Sequence, residues 1–432
     1  MTQLWPRGGL WRHPDFLRLW GAQTLSQVGS QVSLIALPLV AVITLEASAF
    51  EVALLGTVDF LPFLLFALPV GVWVDRVARK PVLVLADVGR GLALATIPAA
   101  AIADVLTIWQ LYAVGFFVGT MTVCFDVAYQ SYLPSLVERT QLVEGNSKLE
   151  ISRSTAQVAG PGAGGLLVAA VTAPFAILVD AVSYLWSAAL LFRIRKPETP
   201  PERADGTTMW KELLEGVRYV LGDPRWRAFA GYVASVNFFM TLAYSIFMVY
   251  AVRELGLSAA VIGAMFALGN IGALAGAAVA GRVARRLGSG NTLVFAGILS
   301  GPPFLLVPLA PQSFPVPFLV AAFAIQGFAI VLFNITGVSL IQALTPSRIL
   351  GRMNASRRFM VWGTIPLGSL TGGVLAETVG LRETLFAGAI GASFCFLFLL
   401  SPALRRVEEP AEEGVGADEV RLPLETQAAT DA

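Results

Sequence analysis

The stretch GVWVDRVARK, residues 71–80, places four charged side chains within six positions: Asp75, Arg76, Arg79 and Lys80. The run before it, 50–70, is apolar apart from two acidic residues, and the chain becomes apolar again directly after it. Short basic segments between long apolar runs are typical of a chain that crosses a membrane several times, because basic residues are retained in the loops on one side. The stretch therefore predicts a loop between two membrane-spanning segments.

The whole chain repeats this pattern. Of its 432 residues, 56% are hydrophobic and 14% are charged, whereas soluble domains carry about 25% charged residues. A helix needs about 20 apolar residues to cross a bilayer, and backbone groups in lipid must be hydrogen-bonded within the segment. Runs of that length predict an all-α integral membrane protein with twelve transmembrane helices, at approximately 17–44, 50–74, 81–103, 107–133, 152–171, 174–194, 226–251, 258–280, 290–310, 315–343, 358–378 and 383–403.

Several other protein classes do not fit these residues. The single histidine is His13, and the two cysteines, Cys124 and Cys395, lie in apolar runs, so neither a disulfide framework nor a metal site is expected. The chain has no glycine-rich phosphate loop ending in Lys-Ser or Lys-Thr, and no basic stripe interleaved with aromatic residues that would suit nucleic acid. We expect no metal, no cofactor, no nucleic-acid partner and no enzymatic activity.

The distribution of positive charge predicts the orientation. All but three of the 30 lysines and arginines lie in the two termini or in the segments 75–80, 134–153, 193–227, 281–289 and 344–358. The exceptions are Arg90, inside a predicted span, and Arg253 and Arg382, in loops on the other side. Because positive residues favour the cytoplasmic side, both termini are predicted to be cytoplasmic.

The longest loop divides the predicted spans into two groups of six. Residues 1–195 form the predicted N-terminal half, and residues 226–404 form the C-terminal half. The tail, 405–432, is acidic and poor in aromatic residues, so disorder is predicted there. The cytoplasmic linker, 196–225, predicts an amphipathic helix on the membrane surface, from apolar residues at helical spacing: Trp210, Leu213, Leu214, Val217, Val220 and Leu221.

Short sequences recur in the two halves in the same order. RVAR occurs at 76–79 and again at 282–285, each time after an even-numbered span of its half. The pattern Gln-x-x-x-Pro ends the fourth span at 130–134 and the tenth span at 342–346. Internal repeats of this kind are typical of secondary transporters. The sequence therefore predicts two pseudo-symmetric six-helix halves.

These residues resemble the motifs of the major facilitator superfamily. Segments 125–137 and 142–167 are similar to its drug-exporter branch, which includes macrolide efflux and siderophore exporters. The loop between spans two and three resembles motif A, at Gly71, Asp75, Arg76, Arg79 and Lys80. Span five resembles the core of motif C, the antiporter signature of the drug exporters, at Gly160, Pro161, Gly164 and Gly165.

Four positions depart from the family patterns. Ala78 stands where motif A usually has glycine, and Ser147 and Ala156 stand where motif C has upstream glycines. Gly115 occupies the position of the motif B arginine, four residues before Gly119. The resemblance implies a transporter with alternating access, in which the motif A residues form a gating loop and the motif C residues form a helix hinge. Close helix packing is the alternative explanation of the motif C glycines.

Ionisable residues inside predicted spans suggest function, because burying one at the centre of a bilayer costs about 2.5 kcal/mol or more. Asp59 and Asp126 are the predicted carriers of the coupled proton, since both could face an interior cavity. Asp87 and Arg90, three residues apart, predict an intramembrane ion pair. The alternative role of Asp126 is to pair with Arg90 from a neighbouring helix. Asp180, early in span six, is expected at the rim near the outer headgroups.

Amide side chains inside spans predict a substrate cavity, because they cannot face lipid without partners. Three glutamines in span one recur every fourth residue on one helix face, and the resemblance places that span at the cavity. The alternative is that they join two helices. The candidate cavity residues are Gln23, Gln27, Gln31, Asn237, Gln326 and Asn334.

Together the features predict a multi-pass secondary transporter of the cell membrane. It would export a lipophilic small molecule, such as an antibiotic or natural product, in exchange for protons, and its partners would be that substrate, protons and the bilayer. We expect a monomer. A siderophore exporter and a proton-coupled nutrient importer are the alternatives, followed by a non-transporting membrane sensor. Asp75 has no acidic counterpart in the second RVAR copy, where Gly281 stands, and is predicted to latch the halves in an outward-facing state.

Overall fold

The computed structural model describes residues 9–74, 76–198, 218, 220–344 and 347–405, and this backbone is helical apart from short connections. The long helices are α1 (Pro14–Leu39), α2 (Ala49–Val74), α3 (Arg79–Ile102), α4 (Ile108–Leu136), α5 (Leu142–Val171), α6 (Ala173–Phe192), α7 (Pro224–Arg253), α8 (Ala259–Leu287), α9 (Ser289–Ser300), α10 (Val316–Leu344), α11 (Ser347–Thr378) and α12 (Leu381–Phe394). Short helical turns are Gly9–Arg12, Val40–Thr44, Arg139–Gln141, Pro302–Leu305, Leu306–Leu309, Cys395–Leu400 and Pro402–Arg405.

Ten helical segments in the described part of the chain are long and apolar enough to cross a membrane. They contain all the long helices except α5 and α11, which have 30 and 32 residues but begin with charged sequence and are rich in glycine. The prediction of an all-helical membrane fold is confirmed. Twelve crossings and cytoplasmic termini stay predictions.

Two predicted loops, 134–153 and 344–358, are largely helical instead, because α5 and α11 each begin well before the apolar run. In α5 this polar section is stabilised along the helix by an ion pair between Lys148 and Glu144, four residues apart. Such pairs favour helix in sequence that is too polar to enter lipid. An apolar-run criterion does not detect a helix that continues beyond the membrane.

The two RVAR copies adopt different local structures. In the first half, α2 ends just before the copy at 76–79 and α3 begins at its last residue. In the second half, α8 continues through the copy at 282–285 and ends before Gly288, whose φ of 77° suits glycine. The prediction of a loop over 281–289 is therefore wrong for most of its length. Pro81 explains the difference, since proline fits the first turn of a helix but not its interior.

The long helices form two bundles. In the first, α6 packs against α1 and α3, α4 packs against α2 and α3, and α5 lies along α1. In the second, α8 and α9 pack against α10, and α11 and α12 pack against α7. The predicted domain boundaries at 195 and 226 stay predictions. Most of the predicted amphipathic helix, 199–217, and the tail from 406 lie outside the described residues.

The two bundles share an apolar core at one end of the molecule. We call the end where α1, α3 and α5 begin the basic end, and the other the opposite end. One apolar cluster at the opposite end contains residues of both bundles, for example Val42 and Leu255. At the basic end, the described apolar residues form two separate clusters, one in each bundle.

Hydrogen bonds also join the bundles on the side of the opposite end. The Arg253 guanidinium donates to the Ala47 carbonyl oxygen over 2.7 Å. Ser369 in α11 donates to the Ala53 carbonyl oxygen in α2 over 2.6 Å. Helices α2 and α11, and helices α5 and α8, form the most extensive contacts across this boundary, and α2 also touches α7.

Candidate functional site

A row of polar side chains lies on one face of α6. Asp180, Ser183, Tyr184 and Ser187 follow one another at intervals of three, one and three residues, which places them on the same side of a helix. Helices α1 and α3 cover α6, and all four side chains are buried. Ionisable and hydroxyl groups at this depth mark a functional candidate when they converge.

Asp87 and Arg90 of α3 complete this polar cluster. Arg90 Nη2 donates a hydrogen bond to Asp87 Oδ1. Ser187 Oγ donates to the other carboxylate oxygen, Asp87 Oδ2, over 2.6 Å. The Asp87 side chain is fully buried, and both of its oxygens have a donor, one of them a cation. These partners satisfy an ionised carboxylate.

The Arg90 guanidinium lies between two aromatic rings. Its Cζ is 4.4 Å from the ring centroid of Phe125 and 4.1 Å from that of Tyr184, which is within the range of cation–π attraction. Nη1 is 3.5 Å from Thr122 Oγ1, and Asp126 is near enough to interact electrostatically. Nε is buried and has no hydrogen-bond acceptor among the described residues.

Asp180 is 1% exposed, so it is enclosed by neighbouring helices; its expected position near the outer headgroups stays a prediction. Its Oδ1 is 3.2 Å from Ser183 Oγ, a neutral donor on the same helix. Gly29 of α1 lies against it, where a Cβ would be 2.6 Å from Oδ1. Within the described ranges no lysine or arginine is within salt-bridge distance of this carboxyl group. Packing of α1 onto α6 buries Asp180, which the position along the sequence does not reveal.

Asp59, a predicted proton carrier, is half-buried in α2 and forms no hydrogen bond or ion pair with other described residues. It faces α4 where two glycines leave room. A Cβ on Gly115 would lie 4.0 Å from Asp59 Oδ1. Gly115 stands at the arginine position of motif B, so the departure from that motif leaves space beside the carboxyl group. Asp126, the other candidate, is half-buried near Arg90.

The glutamines of α1 differ in their surroundings. Gln23 is 7% exposed, and its Nε2 has no partner among the described residues. Gln27 and Gln31 are half-buried. Ser30, on the adjoining face of α1, shares a hydrogen bond of 2.8 Å with the Tyr184 hydroxyl. Helix α1 thus presents Ser30 to the polar cluster of α6, whereas its Gln27 and Gln31 side chains remain partly exposed.

The second-half amides lie in three different environments. Asn237 is half-buried and donates to a carbonyl oxygen of its own helix over 2.7 Å. Gln326 is 2% exposed, and its amide contacts the Tyr244 hydroxyl and the Met240 sulfur. Asn334 is exposed. The described structure therefore brings Gln326 into the packed core of the second bundle, and the cavity role of all three stays a prediction.

The motif C segment of α5 contacts a helix on each side. Gly160 and Gly164 face α1, and Gly165 faces α8, where an added Cβ would lie 2.7 Å from the Cα of Gly263. Pro161 is buried between them. These glycines permit close approach of α5 to both bundles. Their role as a hinge stays a prediction.

The motif A loop contacts the start of the linker. The Glu198 carboxylate accepts hydrogen bonds from the backbone N–H groups of Arg79, at 2.8 Å, and Lys80, at 3.1 Å. It thereby caps α3 at the end that attracts negative charge. Lys80 Nζ also donates to the Ile194 carbonyl oxygen over 2.6 Å. These contacts tie the loop to the segment that leaves the first bundle.

The other gating-loop residues give less information. Gly71 is half-buried and Arg76 is exposed. Asp75 lies outside the described residues, so the predicted latch remains untested.

The model of the transmembrane secretion effector family, MFS_3, matches residues 10–428 of the chain. The chain belongs to this family. The predicted resemblance to major facilitator transporters and their exporters is confirmed. This family member is therefore a transporter of small molecules and not an enzyme, and it is a multi-pass protein of the cell membrane.

Three relatives align with the family member over most of its length. It is 26% identical to the uncharacterized MFS-type transporter YfiS of Bacillus subtilis, over 84% of this chain and 87% of the relative. It is 25% identical to the multidrug efflux pump Tap of Mycolicibacterium fortuitum, over 87% of this chain and 92% of Tap. It is also 25% identical to the enterobactin exporter EntS of Citrobacter koseri, over 94% of this chain and 96% of EntS.

Solved transporters share the fold of the family member. A bacterial homologue of the iron transporter ferroportin in the inward-facing state superposes with a TM-score of 0.70 and 18% identity, covering 91% of this chain and 98% of that chain. The outward-facing state of such a homologue gives a TM-score of 0.57 with 17% identity, covering 89% of this chain and 98% of that chain. The arrangement of the helices is thus geometrically closer to the inward-facing structure. In the described ranges no group of three or more His, Cys, Asp or Glu side chains could hold a metal ion.

Reasoning from the sequence missed the α6 row and the Glu198 cap of the family member. The spacing of Asp180, Ser183, Tyr184 and Ser187 could have predicted this row, because polar residues that recur every three to four positions in an apolar run lie on one face of a helix. Glu198 carried no such signal, since its contact with Arg79 joins residues more than one hundred positions apart.

Proposed function

We propose that the protein exports a lipophilic small molecule from the cytoplasm and takes up protons in exchange, while its two halves give alternating access to a central cavity. The observation that carries the proposal is the presence of acidic residues at depth in the first bundle of a chain whose relatives include exporters named Tap and EntS. Carboxyl groups are costly to keep inside a membrane, and a proton-coupled carrier has a use for them.

The lipophilic nature of the substrate is supported by the scarcity of available polar groups. Two of the six candidate cavity amides, Asn237 and Gln326, already have hydrogen-bond partners within the protein. Of the other four, Gln23 is buried, so Gln27 and Gln31 in α1, and Asn334 in α10, remain as the groups that could orient a substrate. A site with apolar walls and few polar groups suits a bulky apolar compound.

The arrangement of the bundles supports alternating access. They share an apolar cluster at the opposite end and have separate clusters at the basic end. With the predicted orientation, the basic end faces the cytoplasm, and this state is inward-facing. The higher TM-score to the inward-facing ferroportin homologue supports the same assignment. We further propose that the protein acts as a monomer, which the mass of the protein in detergent tests.

A second candidate is export of a siderophore. It is supported by the relationship to EntS, which covers 94% of this chain. A siderophore is more polar than most lipophilic drugs, so its export would depend more strongly on Gln27, Gln31 and Asn334. Substitution of these three residues by leucine separates the candidates, because it should abolish siderophore transport and only modify the drug profile.

The test uses inside-out vesicles that hold a pH gradient. Adding a transported compound should dissipate the gradient, so a panel of lipophilic antibiotics is compared with enterobactin. Asp59→Asn and Asp126→Asn are the variants, and at least one of them should lose the effect. Asp104→Asn is the matched control, because Asp104 is exposed in a loop and its φ of 53° is tolerated by asparagine. If no compound dissipates the gradient of the unmodified protein, or if both variants behave as the control does, the assignment fails.

The gating role of Asp75 is a separate proposal. An acid among arginines on one half alone could hold the halves in the outward-facing state. Asp75→Asn should then raise the fraction of inward-facing molecules, measured by the labelling of cysteines placed at the two ends. Equal labelling of the variant and the parent contradicts this role.

A further inference from the structure

The polar cluster of the first bundle contains more acids than bases. Asp87, Asp180 and Arg90 are all at least nine-tenths buried, with exposures of 0%, 1% and 4%. If both acids were ionised, this buried set would carry a net negative charge. An uncompensated charge inside a membrane protein is strongly unfavourable. One proton shared between the two acids removes that cost.

The hydrogen bonds indicate which acid holds the proton in this state. One carboxylate oxygen of Asp87 accepts a hydrogen bond from the Arg90 guanidinium, and the other accepts one from the Ser187 hydroxyl. Asp180 Oδ1 lies 3.2 Å from the Ser183 hydroxyl, which also donates to the Asp180 backbone carbonyl oxygen over 2.8 Å, and no cation is within salt-bridge distance in the described ranges. The ionised form is therefore favoured at Asp87, and the protonated form is favoured at Asp180.

Arg90 is placed to change partner. Its Nε is a buried donor without an acceptor among the described residues, so the guanidinium has a hydrogen bond still to offer. Leaving such a donor unpaired is unfavourable. Its Cζ rests 4.1 Å from the Tyr184 ring centroid, and Tyr184 is one helical turn from Asp180, or about 6 Å along α6. A movement of one turn along this aromatic surface brings the cation to Asp180.

The elements packed against α6 bring few other titratable groups to this cluster. Helix α3 contributes Asp87 and Arg90, and α6 itself contributes Tyr184. Beyond α3, α4 places Asp126 within electrostatic range of Arg90. Helix α1 contributes two hydroxyls, that of Ser30, which is bonded to Tyr184, and that of Ser33, which lies near Asp180. The last part of α5, 160–171, and the turn Val40–Thr44 contain no titratable residue.

We propose that Asp180, Arg90 and Asp87 form the proton-carrying centre, in which one proton occupies whichever acid Arg90 does not pair. The proton is on Asp180 while Arg90 pairs with Asp87, and it is on Asp87 while Arg90 pairs with Asp180. Arg90 keeps its own proton throughout. One proton enters at Asp180 and one leaves from Asp87 per cycle, so the charge of the centre is conserved. This inference rests on the proposed function, since it assigns residues to the proton coupling proposed there.

The depths of the two acids suit opposite routes. Asp180 is about 10 Å along α6 from the opposite end, and Asp87 is about 12 Å along α3 from the basic end. When Arg90 moves from Asp87 to Asp180, the O–H bond at Asp180 breaks and an O–H bond forms at Asp87, and the proton passes along the α6 hydroxyls of Ser183, Tyr184 and Ser187 between them.

The Asp59→Asn and Asp126→Asn variants separate the two assignments. Coupling lost in one of them and kept in Asp180→Asn would place the proton at Asp59 or Asp126 and overturn this inference.

The first experiment measures stability and needs no substrate. The parent protein and the variants Asp180→Asn, Asp87→Asn and Asp87→Asn with Asp180→Asn are purified in detergent, and their unfolding midpoints are compared. Asp180→Asn imitates the protonated acid, so its unfolding midpoint should equal that of the parent. The unfolding midpoint of Asp87→Asn should be only slightly lower than that of the parent, because Arg90 can pair with Asp180. The double variant leaves Arg90 without either acid and should lose much more stability than the two single losses combined.

The matched control is Asp126→Asn combined with Asp87→Asn. If the Asp126→Asn, Asp87→Asn double variant loses far more stability than its single variants and the Asp87→Asn, Asp180→Asn double variant does not, Asp126 is the second partner of Arg90 and the proposal is overturned. The proposal also fails if Asp87→Asn alone is as unstable as the double variant, because Arg90 then depends on Asp87 only.

The second experiment separates coupling from structure. In vesicles with erythromycin as the probe, Asp180→Asn should lose proton-driven accumulation but retain counterflow of labelled against unlabelled probe, which requires no net proton movement. Asp180→Glu should recover part of the accumulation. An Asp180→Asn protein that still accumulates erythromycin against the gradient overturns the inference. If the parent shows no proton coupling with any compound, the proposed function fails, and the stability measurements still decide whether Arg90 exchanges partners.

Discussion

Helices α3 and α6 of the first bundle meet through charged and hydroxyl groups, whereas helices α7 and α10 of the second bundle meet mainly through aromatic rings. In the first, Arg90 and Ser187 both bond to Asp87. In the second, the ring of Phe323 lies 5.2 Å from that of Phe247 between centroids, a usual spacing for an aromatic pair. The two halves have similar helices and different interior chemistry.

Aligning the two RVAR copies sharpens this difference. Leu293 and Ala296 of α9 then stand at the positions of Asp87 and Arg90, and both are fully buried. The repeat can therefore pack apolar residues at this depth, and the charges of the first half are not required for packing. Because buried ion pairs are often no more stable than apolar replacements, we interpret the charged cluster as functional.

The largest expected effect comes from Arg90→Leu, which makes the first half resemble the second. It leaves the buried Asp87 carboxylate without its cation, and breaking a buried pair from one side costs about 3–5 kcal/mol. Unfolding in detergent should show this loss. The double variant Asp87→Leu with Arg90→Leu should recover most of it, because both charges are gone. A double variant as unstable as Arg90→Leu would mean that the site cannot accept apolar residues as the second half does.

A smaller effect is expected where the two bundles touch. Gly165→Ala would place a Cβ 2.7 Å from the Gly263 Cα, and such overpacking costs about 1–3 kcal/mol. The closed opposite end should open, which cross-linking of cysteines in α5 and α8 measures. Gly222→Ala is the control, since nothing lies within 4 Å of its Cβ position. Unchanged cross-linking in Gly165→Ala would show that this contact does not hold the bundles together.

Within the second bundle, Tyr244→Phe removes the hydroxyl that contacts the Gln326 amide. A buried polar group left without its partner costs about 1–3 kcal/mol, and membrane hydrogen bonds average about 0.6 kcal/mol, so a loss near 1 kcal/mol is expected in detergent unfolding. Adding Gln326→Leu should restore stability, because no buried amide remains. If Tyr244→Phe instead changes transport without changing stability, Gln326 lines the cavity after all.

The smallest effect compares the two RVAR copies. Glu198→Gln weakens the cap on α3, and a charge at a helix N-terminus contributes about 0.3–1 kcal/mol. The loss should diminish at high salt, as expected for screened charges. Arg285→Ala in the second copy is the control, because that side chain is exposed within a continuous helix. An equal effect of both substitutions would remove the distinction between the copies.

Much of the helical fold could be predicted because apolar runs and loop charges are local properties. The boundaries of α5 and α11 could not, since helix beyond the lipid depends on pairs such as Lys148 with Glu144 rather than on hydropathy. For the site, the spacing of Asp87 and Arg90 was enough to expect their pairing, and the two side chains are bonded. The burial of Asp180 was not predictable from its early position in α6, because it depends on how α1 and α3 cover that helix.

The sequence by itself determined that this protein is a helical membrane transporter of the major facilitator type. That information lies in residues close together along the chain, because helix length, charge bias and motif spacing are set within one span or loop. Only the tertiary structure decided which polar groups share a cluster, that Gln326 belongs to a packed core, and that Glu198 caps α3. Such partners lie on different helices, and the low polarity of the interior makes their presence or absence decisive for each charge.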